Sequence, residues 1–154
     1  LQAQLISFDT LKKGVFDNAG IKKELIINGF TKFTASPTSK ADTYVYNYDE
    51  TKETATIWVI IAPLIELENS RHYSISVLTS GDYIHDELVK EITEKCTFEG
   101  IKNDALVYSC EYSSFVISSQ GGNNSIVAYP DFEQLPEEAK EEFLKSIEKK
   151  EEEK

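Results

Sequence analysis

Residues that commonly carry chemistry are scarce in this chain of 154 residues, which has no Met, one Trp, two Cys and two His, with Arg71 as its lone arginine. Two cysteines are too few for a disulfide scaffold. His72 and His85 have neither H-x-H nor H-E-x-x-H spacing, which argues against a zinc site. His85 falls off the apolar stripe of its helix and is expected to face solvent beside Asp86 and Glu87. No apolar run approaches the ~20 residues that a transmembrane helix needs. Positive charge is also short: 16 basic residues stand against 27 acidic ones, a net charge of −11. Phosphate binding needs a basic stripe, so nucleic acid is set aside as a partner, and an anionic membrane surface with it. There is no G-x-S-x-G elbow, no phosphate-cradling glycine loop and no calcium loop of the EF-hand kind. Gly121-Gly122 lies between two strand-like runs and reads as a hairpin turn. Carboxylates are abundant, but a catalytic pair needs one member in an apolar pocket. Glu111, the best placed, is expected on a strand face with Ser109 and Ser113, and that face reads as solvated. The expectation is a protein without catalytic residues, cofactor or metal.

What remains is ordinary globular material: 40% hydrophobic and 28% charged residues, 7 Gly and 4 Pro. One domain over residues 1–154 fits that length, and such a chain buries roughly two-thirds of its unfolded surface. It opens Leu1-Gln2-Ala3-Gln4, a small residue followed by Gln, as after signal-peptide cleavage in many bacterial proteins. A periplasmic or secreted protein is therefore expected. Residues 131–154 carry ten acidic and five basic side chains. Pro136, Glu137 and Glu138 suit a helix start. Leu135, Ala139, Phe143 and Ile147, with Leu144 beside them, then form one apolar stripe. A C-terminal helix with a charged tail is expected, docked on the body of the protein or on a partner.

The middle of the chain reads as two similar units, 8–78 and 79–130. Ile21 to Phe30 and Ile92 to Ile101 share four apolar positions around an aligned glycine, Gly29 or Gly100, which suits a left-handed helix cap. Ile84, Leu88, Ile92 and Cys96 make a continuous helical stripe. Phe8, Leu11 and Val15 make a shorter one, interrupted at Asn18-Ala19-Gly20. Strand patterns come next at 43–48, 54–62 and 72–78, then at 105–112, 114–119 and 125–129. The order is α-β-β-β twice. The expected fold is α+β: one antiparallel sheet of six strands, helices packed on one face, and a terminal helix.

Cys96 ends a helix stripe and Cys110 lies on the apolar side of a strand, so the two thiols are a candidate disulfide. The alternative is a pair of free buried thiols acting as small apolar residues. Tyr44, Tyr46 and Tyr48 alternate onto one strand face, with Trp58 in the next strand. That face is either half-buried core or, with Trp58, a docking surface. Leu135, Phe143 and Ile147 are the other candidate partner contacts.

The element order between Ile21 and Pro130, with its two glycine-capped helix ends and Tyr-rich strands, resembles the tandem α-β-β-β architecture of beta-lactamase inhibitor proteins. It is similar as well to other small exported α+β proteins of Gram-negative bacteria. The resemblance implies a sheet face that grips a partner protein. Two functions are then in contention. One is an exported protein-binding module, such as an envelope-complex subunit or an inhibitor. The other is a cytoplasmic immunity or antitoxin-type protein whose acidity neutralises a basic partner.

Overall fold

The computed structural model describes residues 5–34, 40–67, 70–80, 83–111, 113–120, 122–131, 137 and 141. Among the described residues, three named helices and one eight-stranded antiparallel sheet make an α+β fold. Helices α1 (Phe8–Gly14) and α2 (Asn18–Ile27) come first. Strands β1 (Thr31–Phe33), β2 (Asp42–Tyr46), β3 (Ile57–Leu67) and β4 (Ser70–Thr79) succeed them. Helix α3 (Tyr83–Lys95) leads into β5 (Thr97–Lys102), β6 (Ala105–Cys110), β7 (Ser113–Gln120) and β8 (Asn123–Pro130). The strands lie in the order β1-β2-β3-β4-β8-β7-β6-β5.

Local chemistry explains the element ends. Ser7 caps α1 by accepting from the Thr10 amide at 3.1 Å, and Asp17 caps α2 by accepting from the Gly20 amide at 3.1 Å. Asn18 to Gly20 therefore form the first turn of α2, and the break between the two helices falls just before them. At the other end of α2, Gly29 is left-handed at φ 95°. Its amide donates to Ile26 at 3.2 Å and the Phe30 amide to Leu25 at 2.9 Å, the paired bonds of a Schellman cap.

Alternation in the central strands sorts the sheet into two faces. Tyr73, Ile75 and Val77 of β4, Ile126 and Ala128 of β8, and Phe115 and Ile117 of β7 are buried on one face. All three helices pack there, through Phe8, Leu11, Val15, Ile21, Leu25, Leu88 and Ile92. The approach of α1 to β4 is close: a Cβ added at Gly14 would lie 2.6 Å from Ile75 Cδ1. The Tyr73 amide donates to the Val15 carbonyl at 2.9 Å and Ser113 Oγ to the Lys12 carbonyl at 3.2 Å, tying α1 across the sheet. Pro63 is accommodated in long β3 because β2 pairs with that strand only as far as Ile61, and a register shift occurs at Pro63/Ile65.

Several sequence expectations are corrected. The sheet has eight strands, not six; β1 and β5 are short or irregular and lack clean alternation. Gly100 is not a helix cap. Helix α3 stops at Lys95, and Gly100 sits at φ 128° in β5, where the register shifts against β6. The β-favouring pair Thr97-Phe98 begins a strand there. His85 is buried at 8% exposure: it precedes Leu88 by three positions, and i, i+3 neighbours share a helix face as i, i+4 neighbours do. Glu111 stands outside the strands in a left-handed turn (φ 45°), exposed and paired with Lys12 at 3.2 Å. Ser113 is fully buried, so no shared solvated face exists.

Candidate functional site

Opposite α1–α3 the sheet has a second face, helix-free in the sense that none of these three helices packs on it, where side chains are presented outward. Register aligns Val107, Val116, Val127, Ser76 and Ile60 in one row and Ser118, Ser125, Leu78 and Trp58 in the next. All of these side chains are half-buried.

One end of this face carries an aromatic cluster. Phe33 of β1, Tyr48 and Trp58 of β3 form a triangle, with ring centroids 5.2 Å apart for Phe33–Tyr48, 5.2 Å for Phe33–Trp58 and 6.0 Å for Tyr48–Trp58. Trp58 meets both partners nearly at right angles, at 82° and 86°, the edge-to-face arrangement that ring quadrupoles favour. Val45, opposite Trp58 in the register, is buried, whereas the three rings stay half-exposed.

The three tyrosines do not share a face. Tyr44 is 4% exposed in the helix-side core, and Tyr46 packs on Phe30 with centroids 5.3 Å apart. Strand β2 ends at Tyr46, and Asn47 turns left-handed at φ 60°. That torsion breaks the two-residue alternation and delivers Tyr48 to the opposite side. The structure therefore joins Tyr48 to Trp58 and withdraws Tyr44 from any docking role. Phe33 escapes a reading of the sequence because Thr31–Phe33 is too short to alternate; its one signal is its place just after the glycine cap.

Beside the cluster runs an open groove of ≈ 1230 Å³, floored by Trp58, Leu78 and Ser125. One wall is the Asp49–Thr54 turn, the other the β7–β8 hairpin, where Gly122 is left-handed at φ 84°. The walls are braced. Asp49 accepts from the amides of Thr51 at 3.0 Å and Lys52 at 3.3 Å, and its own amide donates to the Thr54 carbonyl at 2.7 Å. On the far wall Ser119 Oγ donates to Asn124 Oδ1 at 2.7 Å. The groove thus offers aromatic faces, amides, hydroxyls and the charged side chains of Asp49, Glu50 and Lys52 to whatever enters it. That mixture suits recognition of a polar-and-aromatic surface.

No protein-family model matches the chain, and no curated protein or solved structure is significantly similar to it.

Cys96 comes just after α3 and is half-buried, while Cys110 is buried in β6; both are free thiols. Cys110 Sγ donates to the Lys95 carbonyl at 3.6 Å. Burial pushes the Cys96 thiol up, and the Cys110 side chain beside it adds to the rise. The two cysteines do come together at the helix–sheet junction. Leu135, Phe143 and Ile147 lie outside the described residues, as do Leu1 to Gln4. Among the described residues no group of three His, Cys, Asp or Glu side chains could hold a metal ion, and no helix is long and apolar enough to cross a membrane.

Proposed function

We propose that the chain is a non-catalytic, exported protein-binding module that takes its partner on the helix-free sheet face, at Phe33, Tyr48, Trp58 and the adjoining groove. The observation that carries this reading is the aromatic triangle itself. Three large rings left half-exposed on a rigid sheet, with a braced groove alongside, resemble the anchors that dominate binding energy at protein interfaces. On this reading the fold is a tandem: α1-α2 with β1–β4 is one unit, α3 with β5–β8 is the other, and their last strands β4 and β8 join. The similarity in element order to beta-lactamase inhibitor proteins supports the same use of the sheet face, by analogy of fold alone. The amphipathic segment around Leu135, Phe143 and Ile147 belongs to this reading as a C-terminal helix.

The test is affinity capture from the native organism with the intact chain, followed by mass spectrometry. Tyr48→Ala and Trp58→Ala are each expected to weaken the captured partner by more than about thirtyfold, the loss typical of a hot-spot ring. Phe16→Ala, exposed outside this face, is the control and should keep it. A partner retained by both ring variants would overturn the assignment.

A second reading has its own observation. The net charge of −11, with Asp49 and Glu50 outnumbering Lys52 at the groove, favours a basic partner, as for an immunity or antitoxin-type protein in the cytoplasm. Association driven by charge slows steeply with salt, whereas aromatic anchoring does not. Salt dependence of the captured complex separates the two.

A further inference from the structure

Strand β5 ends the sheet on the side away from the aromatic triangle, and among the described residues no strand lies beyond it. Exposed apolar side chains gather at that edge. Phe98 is 52% and Ile101 69% exposed, with Leu106 of β6 beside them at 36%. We infer that this edge pairs with the same edge of a second copy of the chain, β5 against β5 about a two-fold axis.

The first support is that these apolar residues share one face. Phe98 lies opposite Tyr108, and Ile101 opposite Leu106. Tyr108 packs against the helix-side core, and Leu106 pairs with Ile117, which belongs to that core. Residues three apart in a regular strand point to opposite faces. The register shift between Phe98 and Gly100 inserts one extra residue, Glu99, and so brings Phe98 and Ile101 to the same side. Gly100 allows the bulge by adopting φ 128°. The Phe98 and Tyr108 rings are 5.3 Å apart. An apolar patch of Phe98, Ile101 and Leu106 therefore continues to the rim of the sheet.

The second support is that β5 complements itself. Run antiparallel, with Phe98 opposite Ile101 of the second copy, two such strands form that apolar pair twice. The same register sets Glu99 opposite Gly100 of the second copy and diagonal to its Lys102, a separation that long side chains span. Each carboxylate then meets an ammonium. A shift of one residue either way loses this match: Glu99 would face Glu99, or Phe98 would face Lys102. The chain carries −11 overall, yet β5 holds one Glu and one Lys. It is an edge at which two acidic molecules can approach without local repulsion. A bulge and charged residues ordinarily discourage edge pairing; in β5 they leave a single register open. The dimer places its two aromatic triangles at the outer ends of one continuous sheet, so both grooves stay open and binding becomes bivalent.

The test is sedimentation equilibrium of the intact chain up to about 1 mM. A concentration-dependent dimer is expected. Phe98→Lys and Ile101→Lys should each weaken it by at least about tenfold. Both positions are exposed, so the circular dichroism of the variants should match the wild type. Ile27→Lys, at a position 71% exposed on α2, adds the same charge elsewhere and should leave the dimer intact. Glu99→Lys and Lys102→Glu should each weaken self-association, and mixing the two variants should restore it, because the mixed pair regains both opposite-charge contacts. A chain that stays monomeric over this range would overturn the inference, as would open-ended association. So would a dimer that survives both apolar substitutions, or a mixture that associates no better than its components. None of these variants touches the triangle or groove, so the outcomes are distinguishable from a failure of affinity capture.

Discussion

Asn47 turns the backbone left-handed at φ 60° immediately after β2, and through that torsion Tyr48 meets Trp58 instead of joining Tyr46. Asparagine tolerates this conformation and a β-branched residue does not. Asn47→Val should cost about 1–2 kcal/mol in chemical denaturation and shift the emission of Trp58, while Asn47→Gly should leave both close to wild type. Gly14 is constrained for a different reason. With Ile75 Cδ1 2.6 Å from where its Cβ would sit, Gly14→Ala overpacks the α1–β4 contact. The expected loss is about 1–3 kcal/mol, measured by urea unfolding. Cys96 and Cys110 are free thiols side by side, and Cys96 is slow to ionise. Burial and the neighbouring thiol hold the Cys96 pKa above its ordinary value, so little thiolate forms at neutral pH and alkylation of the native protein should be slow. A thiol oxidant should link the pair, read as the loss of two hydrogens by mass spectrometry and as a gain of about 3 kcal/mol for a loop of this length. Cys110→Ser should abolish both effects.

Elements differed in how plainly they could be read from sequence. The cap at Gly29 was legible because a glycine followed by an apolar residue at the end of a helical stripe has one favoured structure, and the paired bonds from Gly29 and Phe30 are there. Gly29→Ala is expected to destabilise the domain by about 1 kcal/mol through its left-handed backbone, measured by thermal unfolding. The same local pattern at Gly100 misled, because the preceding residues Thr97 and Phe98 prefer strand and tertiary pairing with β6 decided the matter. Central strands β4, β7 and β8 were legible from strict alternation. Edge strands β1 and β5 were not: β5 is exposed at every position but Gly100, so it carries no buried half to alternate. For the candidate site, Tyr48 and Trp58 could be named from the sequence, but their meeting could not, since it depends on the torsion at Asn47. Phe33 became visible only through its pairing with β2.

At the scale of the molecule, an acidic chain is held partly by the few cations placed against it. Asp42 accepts from Lys22 at 2.7 Å, joining α2 to β2, and lies 3.4 Å from Lys32. The Lys22 hydrogen bond lowers the Asp42 pKa against the opposing effect of burial, and the charges of Lys22 and Lys32 add to the lowering. A depressed carboxylate pKa stabilises the folded state above the unfolded value of about 3.9. That contribution is lost as the pH falls through the lower, folded value. Asp42→Asn should therefore cost about 0.2–1 kcal/mol at neutral pH and flatten the acid limb of the stability curve followed by circular dichroism. The strand order has a further consequence, for the time course of folding. Strand β8 is the last of the eight described strands to be synthesised, yet it lies in the middle of the sheet between β4 and β7. Until it is available, β4 and β7 each present an unpaired edge, and the nascent chain holds two half-sheets that cannot join. The pairing of β4 with β8 spans a long stretch of sequence, so the closing step is non-local and the domain should fold in milliseconds to seconds, slower than a helical protein of its size. A ribosome-stalled chain ending before Asn123 should remain protease-sensitive in both halves, and protection should arrive in one step once β8 has emerged.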